Sequence, residues 1–231
     1  MAPSKNIGID EELLKKTFEK EWIDKLDVVV REYIKTGKGI NNIGYFNRLG
    51  DYIGRNDSCL TPELSDYFNR LLFAPNIPVL DFVIKNHEDM KNLKFVDNGA
   101  GLGILSVFLK KLDIECYNFD PGPQIVADQI TIHENILSAM NLTVHSVTKE
   151  VPKDGNVLIN CGIGVYHEEL LNLNWKYCMM DEHYSTKGII KNILNKNDIK
   201  KIAVYPDGNI GDIIIVASTD SYSHNFRKKN F

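Results

Sequence analysis

Asp97, Gly99, Gly101 and Gly103 stand at alternate positions directly after the apolar pair Phe95 and Val96, and a second acid, Asp120, closes the next apolar run. A chain leaving a strand this way can turn tightly at Gly99, admit a ligand to its backbone at Gly101 and start a helix against the sheet at Gly103. Ala100 lies inside the same loop. An acid at the end of the following strand is placed to accept both hydroxyls of a ribose. Asp120 also precedes Pro121, so it is equally suited to capping a helix, and the two roles are compatible. The spacing excludes two phosphate sites. A GxGxxG loop would need glycine at position 104, where Ile104 stands, and no Lys-Ser or Lys-Thr pair follows the glycines. What remains is a nucleoside-type ligand held without a pyrophosphate cradle, or else a tight turn with no ligand.

Such a loop works only where a sheet brings several strand ends together. From position 95 onward the chain supplies short, continuous apolar runs rather than alternating ones. The expected strands are 95–97, 115–119, 142–147, 156–161, 175–180, 201–205 and 212–218, with helices at 103–112, 124–140 and 186–194. Continuous runs separated by helices indicate a mainly parallel sheet covered on both faces. The last two runs are joined only by "PDGNIG", too short for a parallel crossover, and so form an antiparallel hairpin. Before position 90 the texture is helical. Leu14, Phe18, Trp22, Leu26, Val29 and Tyr33 recur every three or four residues, which implies one helix over 11–34. The stretch 37–59 is rich in Gly and Asn and reads as irregular; Thr61 then caps a helix with Pro62 at its first position.

The whole chain limits the function classes. It has 231 residues, a formal net charge of -4, 43% hydrophobic and 25% charged residues, which is ordinary globular composition. The charge does not favour nucleic acid as a partner. The cysteines Cys59, Cys116, Cys161 and Cys178 show no CxxC spacing and read as reduced, buried thiols. No apolar run is of membrane length and no signal-peptide pattern opens the chain, so a cytoplasmic protein without membrane contact is expected.

The segments 95–109 and 117–120 resemble the first two motifs of the class I S-adenosylmethionine-dependent methyltransferases, and the resemblance spans about 95–218. It implies an α/β, Rossmann-like seven-stranded sheet, mostly parallel, with a C-terminal antiparallel hairpin. Here a helical N-terminal extension, 1–90, would act as a lid over the substrate side of a core formed by 91–231. The implied cofactor is S-adenosylmethionine. By this resemblance Asp97 lies near its amino-acid end, Gly99, Ala100, Gly101 and Gly103 lie beneath it, Asp120 holds the ribose and Pro121 borders the adenine. Ser146 and Thr148, after the third strand, stand where the family places a polar contact to the adenine. Asn160, at the end of the fourth strand, joins the cofactor set.

The acceptor is sought in the loops after strands four and five. Family members that methylate exocyclic amino groups carry Asn- or Asp-Pro-Pro-Tyr/Phe after the fourth strand; this chain has Asn160 without the prolines, which disfavours a nucleobase amine. Its loops offer Tyr166, His167 and Glu168, then Asp181, His183 and Tyr184. A histidine can take a proton near neutral pH, so His183 and His167 are the candidate bases, with Tyr184 beside them. Tyr166, Glu168 and Asp181 are candidate substrate contacts, with Tyr45 and Asn47 from the glycine-rich stretch acting as lid residues. Each also has an ordinary reading, as a loop histidine facing water or a tyrosine packed at a sheet rim. No metal is expected. The expected activity is methyl transfer to an N or O nucleophile of a small molecule. The alternatives are a protein or RNA methyltransferase, or a non-catalytic scaffold of the same fold.

Overall fold

The computed structural model describes residues 7–36, 61, 63–64, 67, 76–120, 126–160, 175–181, 199–205 and 212–218. Helix α1 (Glu11–Thr17) starts at Asp10, whose carboxylate accepts the Leu13 N–H at 3.0 Å. Acids in its first turn and lysines in its last suit the helix dipole. Helix α2 (Lys20–Thr36) follows. The single helix expected over 11–34 is therefore two. The chain breaks at Phe18, which is extended (φ −113°, ψ 97°) and fully buried. Its ring meets Phe108 edge-on at 4.9 Å and stacks on Trp22 at 5.9 Å. The break resets the helical phase: Ile23, Leu26 and Val30 are buried, while Trp22 and Val29 are only partly so. Packing of one aromatic ring outweighs the continuous periodicity. Thr61 does cap the next turn, its hydroxyl accepting the Leu64 N–H at 3.2 Å.

Helices α3 (Asn76–Lys85) and α4 (His87–Met90) lead into the sheet. The order along the chain is then β1 (Phe95–Asn98), α5 (Ile104–Lys111), β2 (Cys116–Phe119), α6 (Val126–Met140), β3 (Val157–Asn160), β4 (Tyr177–Asp181), β5 (Ile199–Tyr205) and β6 (Ile213–Ser218). The described strands form one sheet in the order β2-β1-β3-β4-β6-β5. The pairs β1–β2, β1–β3 and β3–β4 are parallel; β6 runs antiparallel between β4 and β5. The expected antiparallel pairing of the last two strands is present. Among the described residues the sheet has six strands, and the strand expected at 142–147 is not formed. Just past that segment Thr148 makes one parallel bridge to Phe119. At this edge a side chain replaces the ladder: Asn118 Nδ2 donates to the His145 carbonyl at 2.7 Å.

Strands β1 and β3 are buried along their whole length, their apolar residues and the polar Asp97, Asn98 and Asn160 alike. On one face Phe95, Val157, Ile159, Met179 and Ile215 share a single core with α1, α2 and α3; on the other, Val96, Phe119, Leu158, Cys178 and Ile214 form a second.

A buried carboxylate ties the N-terminal segment to this sheet. Asp81 on α3 is fully buried and accepts from the Asp10 N–H (2.8 Å), Lys85 Nζ (2.6 Å) and the Tyr205 hydroxyl (2.8 Å). The Ile7 N–H bonds the Val204 carbonyl of edge strand β5 at 2.8 Å. Burial, and then the Asp81 carboxylate, push the Tyr205 phenol far above its ordinary range, so it acts only as a donor. Tyr205→Phe should lower stability by about 1–2 kcal/mol, seen as a lower urea midpoint with unchanged slope, since Asp81 keeps its other two partners.

Candidate cofactor-binding site

Strand β1 pairs with β2 on one side and β3 on the other, so the strand order reverses beside it. In an open parallel sheet that point leaves a crevice beyond the carboxyl ends of the strands. The loop Gly99–Gly103 leaves β1 at that end. Gly99, Gly101 and Gly103 all take positive φ, at 83°, 56° and 72°. The loop is fastened to the end of β2: the N–H groups of Gly99 and Ala100 both bond the Phe119 carbonyl, at 2.7 and 3.2 Å, and the Gly101 N–H bonds Asp120 Oδ2 at 3.1 Å. Asp120 is in turn held by its own N–H to the Thr148 carbonyl at 3.0 Å.

The two acids differ in setting. Asp120 is partly exposed, whereas Asp97 is only 7% exposed, and no hydrogen bond from the described residues reaches the Asp97 carboxyl. Burial, reinforced by the Asp120 charge, pushes the Asp97 carboxyl up to about 7. A buried acid beside a second carboxylate is a place where a cation gains most.

Polar residues that interrupt the apolar runs lie directly below. Asn98 closes β1 and Asn160 closes β3; both are buried, and Asn98 Nδ2 donates to Asn160 Oδ1 across the sheet. Asn118, Ser106 and His133 form a further buried group under the loop. Neither Asn98 nor these three belongs to a motif readable along the chain. Their signal was present: an amide, a hydroxyl and an imidazole at positions where the periodicity demands an apolar side chain.

The structure thus gathers Asp97, Gly99, Ala100, Gly101, Gly103, Asp120 and Asn160 at one end of the sheet. Thr148 is at that end too, but serves Asp120 through its backbone, and Ser146 bonds Glu134 at 3.2 Å. Asp181 ends β4, its backbone opposite Ile213. Pro121, Tyr45, Asn47, Tyr166, Glu168, His167, His183 and Tyr184 lie outside the described residues. Among the described residues no cluster of His, Cys, Asp and Glu could hold a metal ion, and no helix is long and apolar enough to cross a membrane.

The sequence matches no protein-family model and has no significant match among curated proteins. Its fold does match solved structures. Magnesium protoporphyrin IX methyltransferase (ChlM) from Synechocystis PCC 6803 with bound SAM aligns at a TM-score of 0.57 and 14% identity, over 84% of this chain and 97% of that one. The same enzyme with bound SAH gives 0.54 and 13%, over 84% and 99%. This chain has the class I S-adenosylmethionine-dependent methyltransferase fold. The 16S rRNA methylase RmtB aligns more loosely, at a TM-score of 0.43 and 11% identity over 84% of this chain and 90% of that one. In the terms of the methyltransferase fold, β5 and β6 are the terminal antiparallel pair.

Proposed function

We propose that the chain binds S-adenosylmethionine at the ends of β1 and β2 and transfers its methyl group to an N or O nucleophile of a small molecule. The observation that carries this reading is the fastening of the glycine loop to the ribose-type acid, Gly101 N–H to Asp120, beside the buried Asp97. The donor set fits the cofactor. Asp97 offers a carboxylate to the cationic amino-acid end, the loop lets the cofactor lie close to the backbone, and Asp120 faces the ribose hydroxyls. When bound, the cofactor supplies a methyl group on a sulfonium, already activated for displacement. The chain then needs to bind, orient and exclude water, and its contribution is mostly positioning.

Residues 91–231 are the cofactor-binding core in this reading, and 1–90 the extension that completes the acceptor side. Pro121 borders the adenine. His183, His167 and Tyr184 are the groups proposed to receive or direct the acceptor's proton, with Tyr45, Asn47, Tyr166, Glu168 and Asp181 as acceptor contacts. A small molecule is favoured over nucleic acid by the net charge of -4.

Calorimetric titration of the folded protein with S-adenosylmethionine and, separately, with NAD tests the reading. S-adenosylmethionine should bind, and Asp120→Ala should weaken it by about a hundredfold, the loss of two hydrogen bonds to a charged acceptor. Binding of NAD instead, or of neither by well-folded protein, would sink the proposal.

A further inference from the structure

Beneath the glycine loop four residues from different elements close a ring of contacts. Ser106 on α5 donates its hydroxyl to the Gly103 carbonyl at 2.7 Å. Asn118 on β2 donates Nδ2 to Ser106 Oγ at 3.0 Å, and the same amide nitrogen faces His133 Nε2 at 3.2 Å. The His133 ring, on α6, returns to Gly103: a Cβ there would lie 2.6 Å from both Cε1 and Nδ1. Ser106, Asn118 and His133 are each 0% exposed.

Chemistry assigns each group its role. The His145 carbonyl, which can only accept, lies 2.7 Å from Asn118 Nδ2 and keeps the amide nitrogen on that side. The two amide hydrogens are then shared among three acceptors, the His145 carbonyl, Ser106 Oγ and His133 Nε2, and with Nε2 accepting the neutral ring carries its proton on Nδ1. Burial, the largest influence, also keeps the ring neutral, against the opposing carbonyls of His145 and Leu102. Neither Nδ1 nor Asn118 Oδ1 meets a hydrogen-bond partner among the described residues. A leucine at position 133 would bring no unmatched ring nitrogen, so the imidazole costs stability that a plain core residue would not. What it holds is the loop. Asn118 directly precedes Phe119 and Asp120, which anchor Gly99, Ala100 and Gly101.

We propose that His133 is a positioning residue for the cofactor loop: keyed to Asn118, its ring fills the space under Gly103 and sets the loop in its ligand-binding shape. The proposal rests on the reading that this loop binds S-adenosylmethionine. Two measurements on the full chain test it: hydrogen exchange of the backbone amides of 99–103, and calorimetric binding of S-adenosylhomocysteine. The variants are His133→Gln, which returns an acceptor oxygen near the place of Nε2, and His133→Leu, which fills volume without one. His133→Gln should bind within about threefold of wild type. His133→Leu should keep its global unfolding transition, yet exchange at the loop about tenfold faster and bind about tenfold more weakly. Should His133→Leu not fold, Ser106→Ala opens the same ring at another member and should change both readouts in the same direction. Unchanged exchange or unchanged affinity in His133→Leu, or in Ser106→Ala when it stands in, overturns the proposal, as does a His133→Gln variant as impaired as His133→Leu. Faster loop exchange in a protein whose wild type binds no S-adenosylhomocysteine would keep the positioning role and remove the cofactor reading instead.

Discussion

Gly103→Ala should cost about 2–5 kcal/mol of folding stability, the sum of a backbone strain and an overpacked contact. Gly103 sits in the left-handed region at φ 72°, where a Cβ approaches the following carbonyl. The added methyl would also stand 2.6 Å from a ring that is fully buried and held by Asn118, so the neighbour cannot swing aside. Gly8→Ala is the control: no atom lies within 4 Å of a Cβ there. Urea unfolding should show a large fall in midpoint for Gly103→Ala and almost none for Gly8→Ala. The double variant Gly103→Ala/His133→Ala relieves the contact but not the dihedral. Its loss should be smaller than the sum of the two single losses. An alanine at 103 as stable as the parent would mean that the loop is not held as described.

Asp97 makes the second large effect, and it depends on pH. Its carboxyl lies at about 7 in the folded chain against an ordinary 3.8, through burial first and the Asp120 charge second. A raised carboxyl means that the folded state binds the proton more tightly than the unfolded one. Stability from this group is therefore whole below about pH 4, falls as the pH rises towards 7 and then levels off, by about 4 kcal/mol in all. Asp97→Asn should remove that slope, so that the variant matches the wild type near pH 4 and exceeds it at pH 8. The same proton governs binding. A cationic ligand meets the carboxylate, so affinity for S-adenosylmethionine should rise about tenfold per pH unit from pH 5 to 7 and then flatten. Asp97→Asn should bind weakly, with that rise removed. A wild-type affinity that is flat from pH 5 to 8 would show that Asp97 is already ionised or does not face the ligand's charge. Stability given up at a buried acid would then have no functional return.

Much of this was legible because local sequence dictates it. A strand, three alternate glycines and an acid at the next strand's end admit few backbone paths, and the observed loop follows one of them, fastened to Asp120. The terminal antiparallel pair followed from a connection too short to cross over. Short apolar runs within the expected strands 95–97 and 156–161 announced strands buried on both faces.

Other features depended on which atoms meet across the fold. The helical stripe of 11–34 is unbroken in sequence, and only the meeting of Phe18 with Phe108 and Trp22 breaks it. The segment 142–147 carries an ordinary strand pattern, yet Asn118 takes the His145 carbonyl and leaves a single bridge at Thr148. The displaced proton affinity of Asp97 needs both burial and the distant Asp120. The group under the loop joins positions 103, 106, 118 and 133, which no local pattern connects to one another. Periodicity and glycine spacing are short-range and so readable along the chain. Which polar groups share a buried space is a property of strands and helices brought together, and for this protein only the tertiary structure decided it.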